Sequence, residues 1–294
     1  MGGSRRMRAF TEPLQELEEF QKIQQALKKQ SIQVTGCIDA QKAHFIYAAG
    51  AAKKKLIVTY SELRAKELCE NYRLFDKNVL FYPAKDLIFY SADVQSNLLV
   101  QQRIRVLQKL MEEEEVTIVT TMGGIMDHLL PPEVFQKQIE TVESDSEFDM
   151  ELWKKKLTAM GYEQVGQVEG SGQFAVRGGI LDIFPLTEEN PVRIELWGDE
   201  IDSIRSFDVE SQRSIENLEE ITIYPATEEI GREEKGFFQK LTDTFLDYFP
   251  EDSRIFLDEP GRILESAKAV FDEYRECMVH RMEKGQAAPE EGDR

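Results

Sequence analysis

The chain has 294 residues, of which 41% are hydrophobic and 31% charged, the balance of an ordinary folded protein with room for two domains. Its 36 basic and 55 acidic residues leave a net charge of −19. That excess argues against a phosphate-backbone partner, since affinity for nucleic acid comes largely from Lys and Arg neutralising phosphates, and no apolar run approaches the ~20 residues a membrane span needs.

In chain order, residues 1–6 read as an extension ahead of Met7, with no secretory leader expected before the first helix. The spacing of Leu14, Leu17, Phe20, Ile23 and Leu27 predicts an amphipathic helix over 14–29. A β-prone run, Ser31 to Thr35, then meets Gly36, and a helical pattern follows from Ala40. From Gly36 onward the spacing is that of the phosphate-binding loop G-x-x-x-x-G-K-[ST], with Lys42 in the lysine place. Gln41 stands where a glycine would let successive N–H groups turn toward phosphates, and Ala43 where a hydroxyl would hold magnesium. As a nucleotide site the loop is degenerate, and it reads more simply as a plain βα turn with no ligand, which leaves Lys42 a solvated point charge.

Strand and helix then alternate: strands at 55–60, 78–83 and 116–121, helices at 61–72 (with Ser61 as N-cap) and 96–113. Short apolar strands separated by helices imply an α/β fold with a parallel sheet covered on both faces, its first part ending at residue 132. From 133 to 225 strands dominate, with one helix near 149–160, a hairpin over 172–185 around Gly178-Gly179, and strands at 192–198 and 201–208; this segment is expected to be a small inserted α+β domain. Residues 226–285 return to the first style, with a helix at 234–249, a strand at 254–258 and a helix at 261–282. The polar residues 286–294 are expected to form a flexible tail.

Three distant cysteines (Cys37, Cys69, Cys277) and three scattered histidines (His44, His128, His280) make no metal spacing and no disulfide framework, so a reducing, cytoplasmic setting without a bound metal is expected. Asp258 and Glu259 follow a strand, as carboxylates that hold a magnesium-bound water often do. With no phosphate cradle opposite, they are read as acids at the start of the last helix, where its dipole favours them. On the strand 192–197, alternation sets Arg193, Glu195 and Trp197 on the face opposite Val192, Ile194 and Leu196, and Arg177 ends a neighbouring strand. Arginine and aromatic anchors of this kind carry binding energy at interfaces; the same residues also serve as a cross-strand ladder that only stabilises the sheet.

The stretch 172–214, "GQFAVRGGILDIFPLTEENPVRIELWGDEIDSIRSFDVESQRS", resembles bacterial transcription-repair coupling factors (Mfd) and, more weakly, the excision-repair protein UvrB; the resemblance runs over roughly residues 7–285. It implies an amino-terminal UvrB-homology module: a degenerate RecA-like, P-loop-type domain carrying an inserted domain that binds UvrA. The motor and RNA-polymerase-binding domains of the coupling factor, with their ATP and magnesium, lie outside it. By residue, the family's UvrA-contacting arginines and aromatic fall on Arg177, Arg193 and Trp197, a tryptophan standing where phenylalanine is common. UvrB carries an intact loop where this chain has Gln41 and Ala43, a D-E-S-H motif where this chain continues from Asp258-Glu259 into Pro260-Gly261, and a long aromatic hairpin where this chain has only 83–95. Tyr82, Phe89 and Tyr90 are therefore expected to pack rather than clamp DNA. The expectation is a non-enzymatic module that takes no cofactor and recruits UvrA with little direct DNA binding. The alternative is a fragment of a UvrB-like, ATP-dependent enzyme that binds damaged DNA.

Overall fold

The computed structural model describes residues 8–50, 52–85, 97–144, 146–228 and 243–283. The chain divides into two compact units, one of Met1–Tyr82, Glu113–Met122 and Phe249–Val270, the other of Pro83–Glu112, Gly123–Tyr248 and Phe271–Arg294. The second unit thus takes in more chain than the 133–225 segment marked out by sequence.

The first unit is built on a four-stranded parallel sheet in the order Arg254–Leu257, Lys54–Thr59, Val116–Thr121, Val79–Tyr82. Its two central strands, KKLIVT and VTIVTT, are rich in β-branched residues and almost wholly buried, as a parallel sheet covered on both faces requires. The helix Glu62–Arg73 starts where Ser61 Oγ accepts the Arg64 N–H at 3.3 Å. Ala65, Leu68, Cys69 and Tyr72 of that helix pack with Ala43, Ile46 and Tyr47 of the helix Asp39–Ala49 over Ile57, Phe81 and Val119 of the sheet. Each large side chain buried there contributes about 1.5–3 kcal/mol relative to exposure. Tyr82 is buried, while Phe89 and Tyr90 lie outside the described residues.

Two sequence expectations fail in this unit. The single helix over 14–29 is instead two, Arg8–Gln15 and Glu18–Ala26, because Leu17 adopts an extended backbone that breaks the helical phase. Of the predicted stripe only Phe20 is then buried, and Leu17 is exposed. Residues Ser31 to Thr35 form no strand: they are exposed or half-exposed and pair with no neighbour among the described residues, and the sheet edge is Arg254–Leu257 instead.

The second unit holds a six-stranded sheet in the order Ser214–Leu218, Glu200–Phe207, Val192–Trp197, Ile180–Ile183, Gln173–Arg177, Glu163–Gln164, antiparallel except for its last pair. Phe174, Leu181, Ile183, Val192, Ile194 and Ile204 line one face and pack against Trp153 and Leu157 of the helix Met150–Ala159. Arg177 pairs with Ile180, so the hairpin turn is the two residues Gly178 and Gly179. Gly178 takes φ +60, and a Cβ on Gly179 would lie 3.1 Å from the Leu196 carbonyl oxygen, so both positions favour glycine.

Of the helix expected at 234–249, residues 234–242 lie outside the described residues, and the remainder forms a strand, Asp243–Thr244, and a 3-10 turn, Phe245–Tyr248. Asp247 Oδ2 accepts from Thr244 N at 2.7 Å and Thr244 Oγ1 at 3.0 Å, a local side-chain bond that competes with helix formation. Elsewhere in this unit the buried Arg103, on the helix Asn97–Glu112, donates to Glu228 Oε1 at 2.7 Å and to the Pro83 carbonyl at 2.6 Å, while Lys85 Nζ lies 3.1 Å from Glu228 Oε2. Burial pushes the Glu228 carboxyl up, but Arg103 and Lys85 outweigh it and hold its pKa at about 2.

Candidate functional site

The degenerate loop was the first candidate. Gly36 takes φ +81 at a bend and the helix begins at Asp39, but with no strand before it the segment is not the expected βα turn. Nor is Lys42 a solvated point charge. Its Nζ lies 2.7 Å from Asp258 Oδ1, 2.6 Å from Glu259 Oε1 and 3.0 Å from Asp39 Oδ1, with only 14% of the side chain exposed. Burial alone would pull its pKa down; the hydrogen bonds it donates to Asp258, Glu259 and Asp39 outweigh that and raise it, fixing the charge. The second oxygen of Asp258 accepts from Arg64 Nε at 3.1 Å and from Thr59 Oγ1 at 3.1 Å, and Arg64 Nη2 donates to Asp39 at 2.9 Å.

Asp258 and Glu259 therefore correct their expected role. Glu259 caps the helix Pro260–Glu283 with its backbone, its carbonyl accepting the Ile263 N–H at 3.0 Å, but both side chains turn to Lys42. Glu259 reaches that position at φ +61, a conformation uncommon outside glycine. Lys42 and Arg64 carry two positive charges against four carboxylates, Asp39, Glu67, Asp258 and Glu259, a formal balance of −2.

A magnesium nucleotide does not fit these residues. The lysine is already satisfied, the surplus charge is negative, Ala43 is buried in the core without a hydroxyl, and the Gln41 N–H donates to the Ile38 carbonyl at 2.9 Å. Among the described residues no group of three His, Cys, Asp or Glu side chains is placed to hold a metal ion.

The second candidate lies on the outer face of the six-stranded sheet. Register places Asp182 opposite Arg193 and Arg193 opposite Arg205, with Arg177, Ile180 and Glu195 forming the adjacent row. Arg193 grips Asp182 with two bonds, Nε to Oδ1 at 2.6 Å and Nη2 to Oδ2 at 2.9 Å, and Arg177 Nη2 adds a third to Oδ2 at 2.5 Å. Asp182 is 1% exposed, so its charge is compensated from both sides rather than by water. Arg193 also stacks on Phe207, its guanidinium carbon 4.5 Å from the ring centre, and donates to Gln212 Oε1 at 3.1 Å. The hydrogen bond to Asp182 raises the Arg193 pKa further, so it is charged at every relevant pH.

The three residues marked out by sequence thus divide. Arg193 is mostly buried, with 17% of its side chain exposed, and is tied into the sheet; Arg177 is half-exposed. Trp197 ends its strand just before Gly198 and is 82% exposed, the most exposed large apolar side chain of this sheet. Glu195 does not join Arg193 in a ladder, since it pairs with Arg205 and accepts from Ser203 Oγ at 3.3 Å.

Comparison with known proteins gives this face its context. A profile of the UvrB interaction domain matches residues 141–228, which include Arg177, Asp182, Arg193 and Trp197. The transcription-repair-coupling factor of Bacillus subtilis (strain 168) is 30% identical over 287 residues, an overlap of 79% of this chain and 24% of that protein. The one from Staphylococcus aureus (strain Mu50) is 34% identical over 232 residues, 78% of this chain and 20% of that protein.

The chain belongs to the transcription-repair-coupling factor family. It spans about a fifth to a quarter of the length of the coupling factors it matches.

Within this coupling-factor segment the sequence did not disclose Asp182, Arg64 or Asp39. Asp182 sits in the run ILDI, where a single carboxylate between Leu181 and Ile183 signals a compensated polar group. Its partner, eleven residues away across a strand pair, depends on a register that alternation alone does not give. Arg64 and Asp39 look like ordinary first-turn charges of two helices, and only the fold brings them to Asp258.

Proposed function

We propose that this chain is a non-catalytic docking module of a transcription-repair coupling factor, and that its strand-rich segment recruits the excision-repair protein UvrA to RNA polymerase stalled at DNA lesions. The observation that carries the reading is the pairing, inside the segment resembling the UvrB interaction domain, of a positively charged arginine clamp with a fully presented tryptophan. Arginine and tryptophan are the residue types that concentrate binding energy at interface centres. The first unit is read as a degenerate RecA-like domain that binds no nucleotide, which the self-neutralised Lys42 and the buried Ala43 support. The same features disfavour the alternative of a UvrB-like ATP-dependent enzyme fragment. Chemistry and polymerase contact are assigned to the remainder of the coupling factor, in the cytoplasm; no helix among the described residues is long and apolar enough to cross a membrane. With a net charge of −19, duplex DNA is expected to bind no better than non-specifically, at about 10⁻⁴ M or weaker.

Titration of the purified chain into UvrA from the same organism tests the reading. A saturable heat that disappears in the Trp197→Ala variant is expected. An inert titration with folded protein on both sides would sink it.

A further inference from the structure

Asp182 is the feature of this face that anchor residues alone do not explain. A carboxylate 1% exposed on the sheet's outer face is costly unless it has a task, and here its two oxygens take three bonds from two arginines on two flanking strands. The bonds use Nε and Nη2 of Arg193 and Nη2 of Arg177, so Nη1 of each guanidinium makes no bond among the described residues. Two arginines against one carboxylate leave a formal balance of +1 on a face that also carries the exposed Trp197. Neighbouring charge does not cancel it, since Glu195 is already paired with Arg205. Gln212, at the clamp's edge, contributes an uncharged oxygen.

We infer that Asp182 is a positioning residue: it fixes Arg177 and Arg193 so that their free N–H groups and single surplus charge receive one carboxylate side chain of the docking partner. The inference rests on the UvrA reading and adds the chemistry of the contact. Arginine donors held in place give up less side-chain freedom on binding than free ones, and a planar fork suits a carboxylate bidentately. Asp182 touches the partner only through the arginines it holds.

Positioning and simple attraction make opposite predictions for Asp182→Asn. The substitution raises the local balance from +1 to +2 while removing the charge that gathers the two guanidinium groups. Attraction by net charge alone would tighten binding to an acidic group; positioning predicts a loss of about 10-fold or more. In an Arg193→Ala background the same change should cost little further, because residues acting as one unit are not additive. Should Asp182→Asn fail to fold, Gln212→Glu carries the test: it keeps the arginine bonds of the clamp, gives up only the Gln212 Nε2 bond to the Val209 carbonyl, brings the balance to zero and should also weaken binding about 10-fold, with an unchanged circular dichroism spectrum. Calorimetry against UvrA reads all of these. A parent chain that does not bind UvrA overturns the docking reading and this inference together. A parent that binds while Gln212→Glu or a folded Asp182→Asn binds as well or better overturns the inference alone.

Discussion

Two ion clusters in this protein are near mirror images. Around Lys42 and Arg64, four carboxylates outnumber two cations, and nothing positive is left for a phosphate. Around Asp182, two arginines outnumber one carboxylate, and one positive charge remains on the face that also carries Trp197. On the proposed reading the same device, a buried charge gripped by several opposite ones, closes one site to an anion and opens the other. What decides is the sign of the remainder: in the first cluster Asp258 is buried together with both cations, and further acids supply the surplus, whereas in the second a lone buried anion is outnumbered. Counting charged residues by type would miss the difference; their connection shows it.

The contrast is broken most severely at Asp258. Asp258→Ala removes the group that binds Lys42, Arg64 and Thr59 together and leaves two largely buried cations short of a partner, which should cost about 3–5 kcal/mol in urea unfolding. A loss below ~1 kcal/mol would mean that the cluster is solvated in solution. Next comes Arg193→Ala, which strips two of the three bonds from Asp182 and should lower stability by about 2–4 kcal/mol along with UvrA affinity. Reading alternation alone, Arg193 and Trp197 face out together and both should be removable without harm to the fold; the clamp corrects this for Arg193.

Trp197→Ala should separate the two properties. With 82% of the residue exposed, the melting temperature should stay within about a degree or two, while affinity falls about 30-fold or more, ~2 kcal/mol. Unchanged binding to UvrA by the folded variant would remove the tryptophan from the interface.

A milder effect is expected in acid. The Glu228 pKa is held at about 2 against an unfolded value of 4.5, so across that range the unfolded chain binds more protons and stability falls as pH drops from about 4.5 toward 2. Glu228→Gln should flatten that part of the stability–pH curve, although it is less stable than the parent at neutral pH; an identical slope in both proteins would show that other groups control the acid limb. The smallest effect is zero. Magnesium-ATP should give no saturable heat, and a micromolar affinity that vanishes in Lys42→Met would reverse the assignment of the first cluster.

Much of the architecture was legible because strands such as KLIVTY and VTIVTT and the Ser61 cap carry their own local signals. Local signals misled where one residue broke a period: Leu17 turns extended and ends the helix that five spaced apolar residues implied. They also misled at Ser31–Thr35, whose β-propensity had no strand to pair with. The candidate site was legible as residue types and as a face, but not as a circuit. Arg177, Arg193 and Trp197 share their face as alternation dictates, whereas Asp182, the residue that joins the arginines, depends on the pairing of two strands. Lys42 and Asp258 are 216 residues apart, and only the parallel sheet, with Asp258 N–H donating to the Val58 carbonyl at 2.8 Å, brings the acid to the lysine.

That ion-held lysine also constrains how the loop can change over generations. Gln41→Gly restores a glycine but leaves Lys42 engaged by Asp258 and Glu259; Ala43→Thr restores a hydroxyl but inserts it into a packed core. Releasing the lysine first, by losing Asp258, exacts its full cost in stability before any nucleotide contact exists to reward it. No single one of these substitutions therefore frees the lysine for a phosphate without a loss of stability, and a pair of carboxylates acts as the latch.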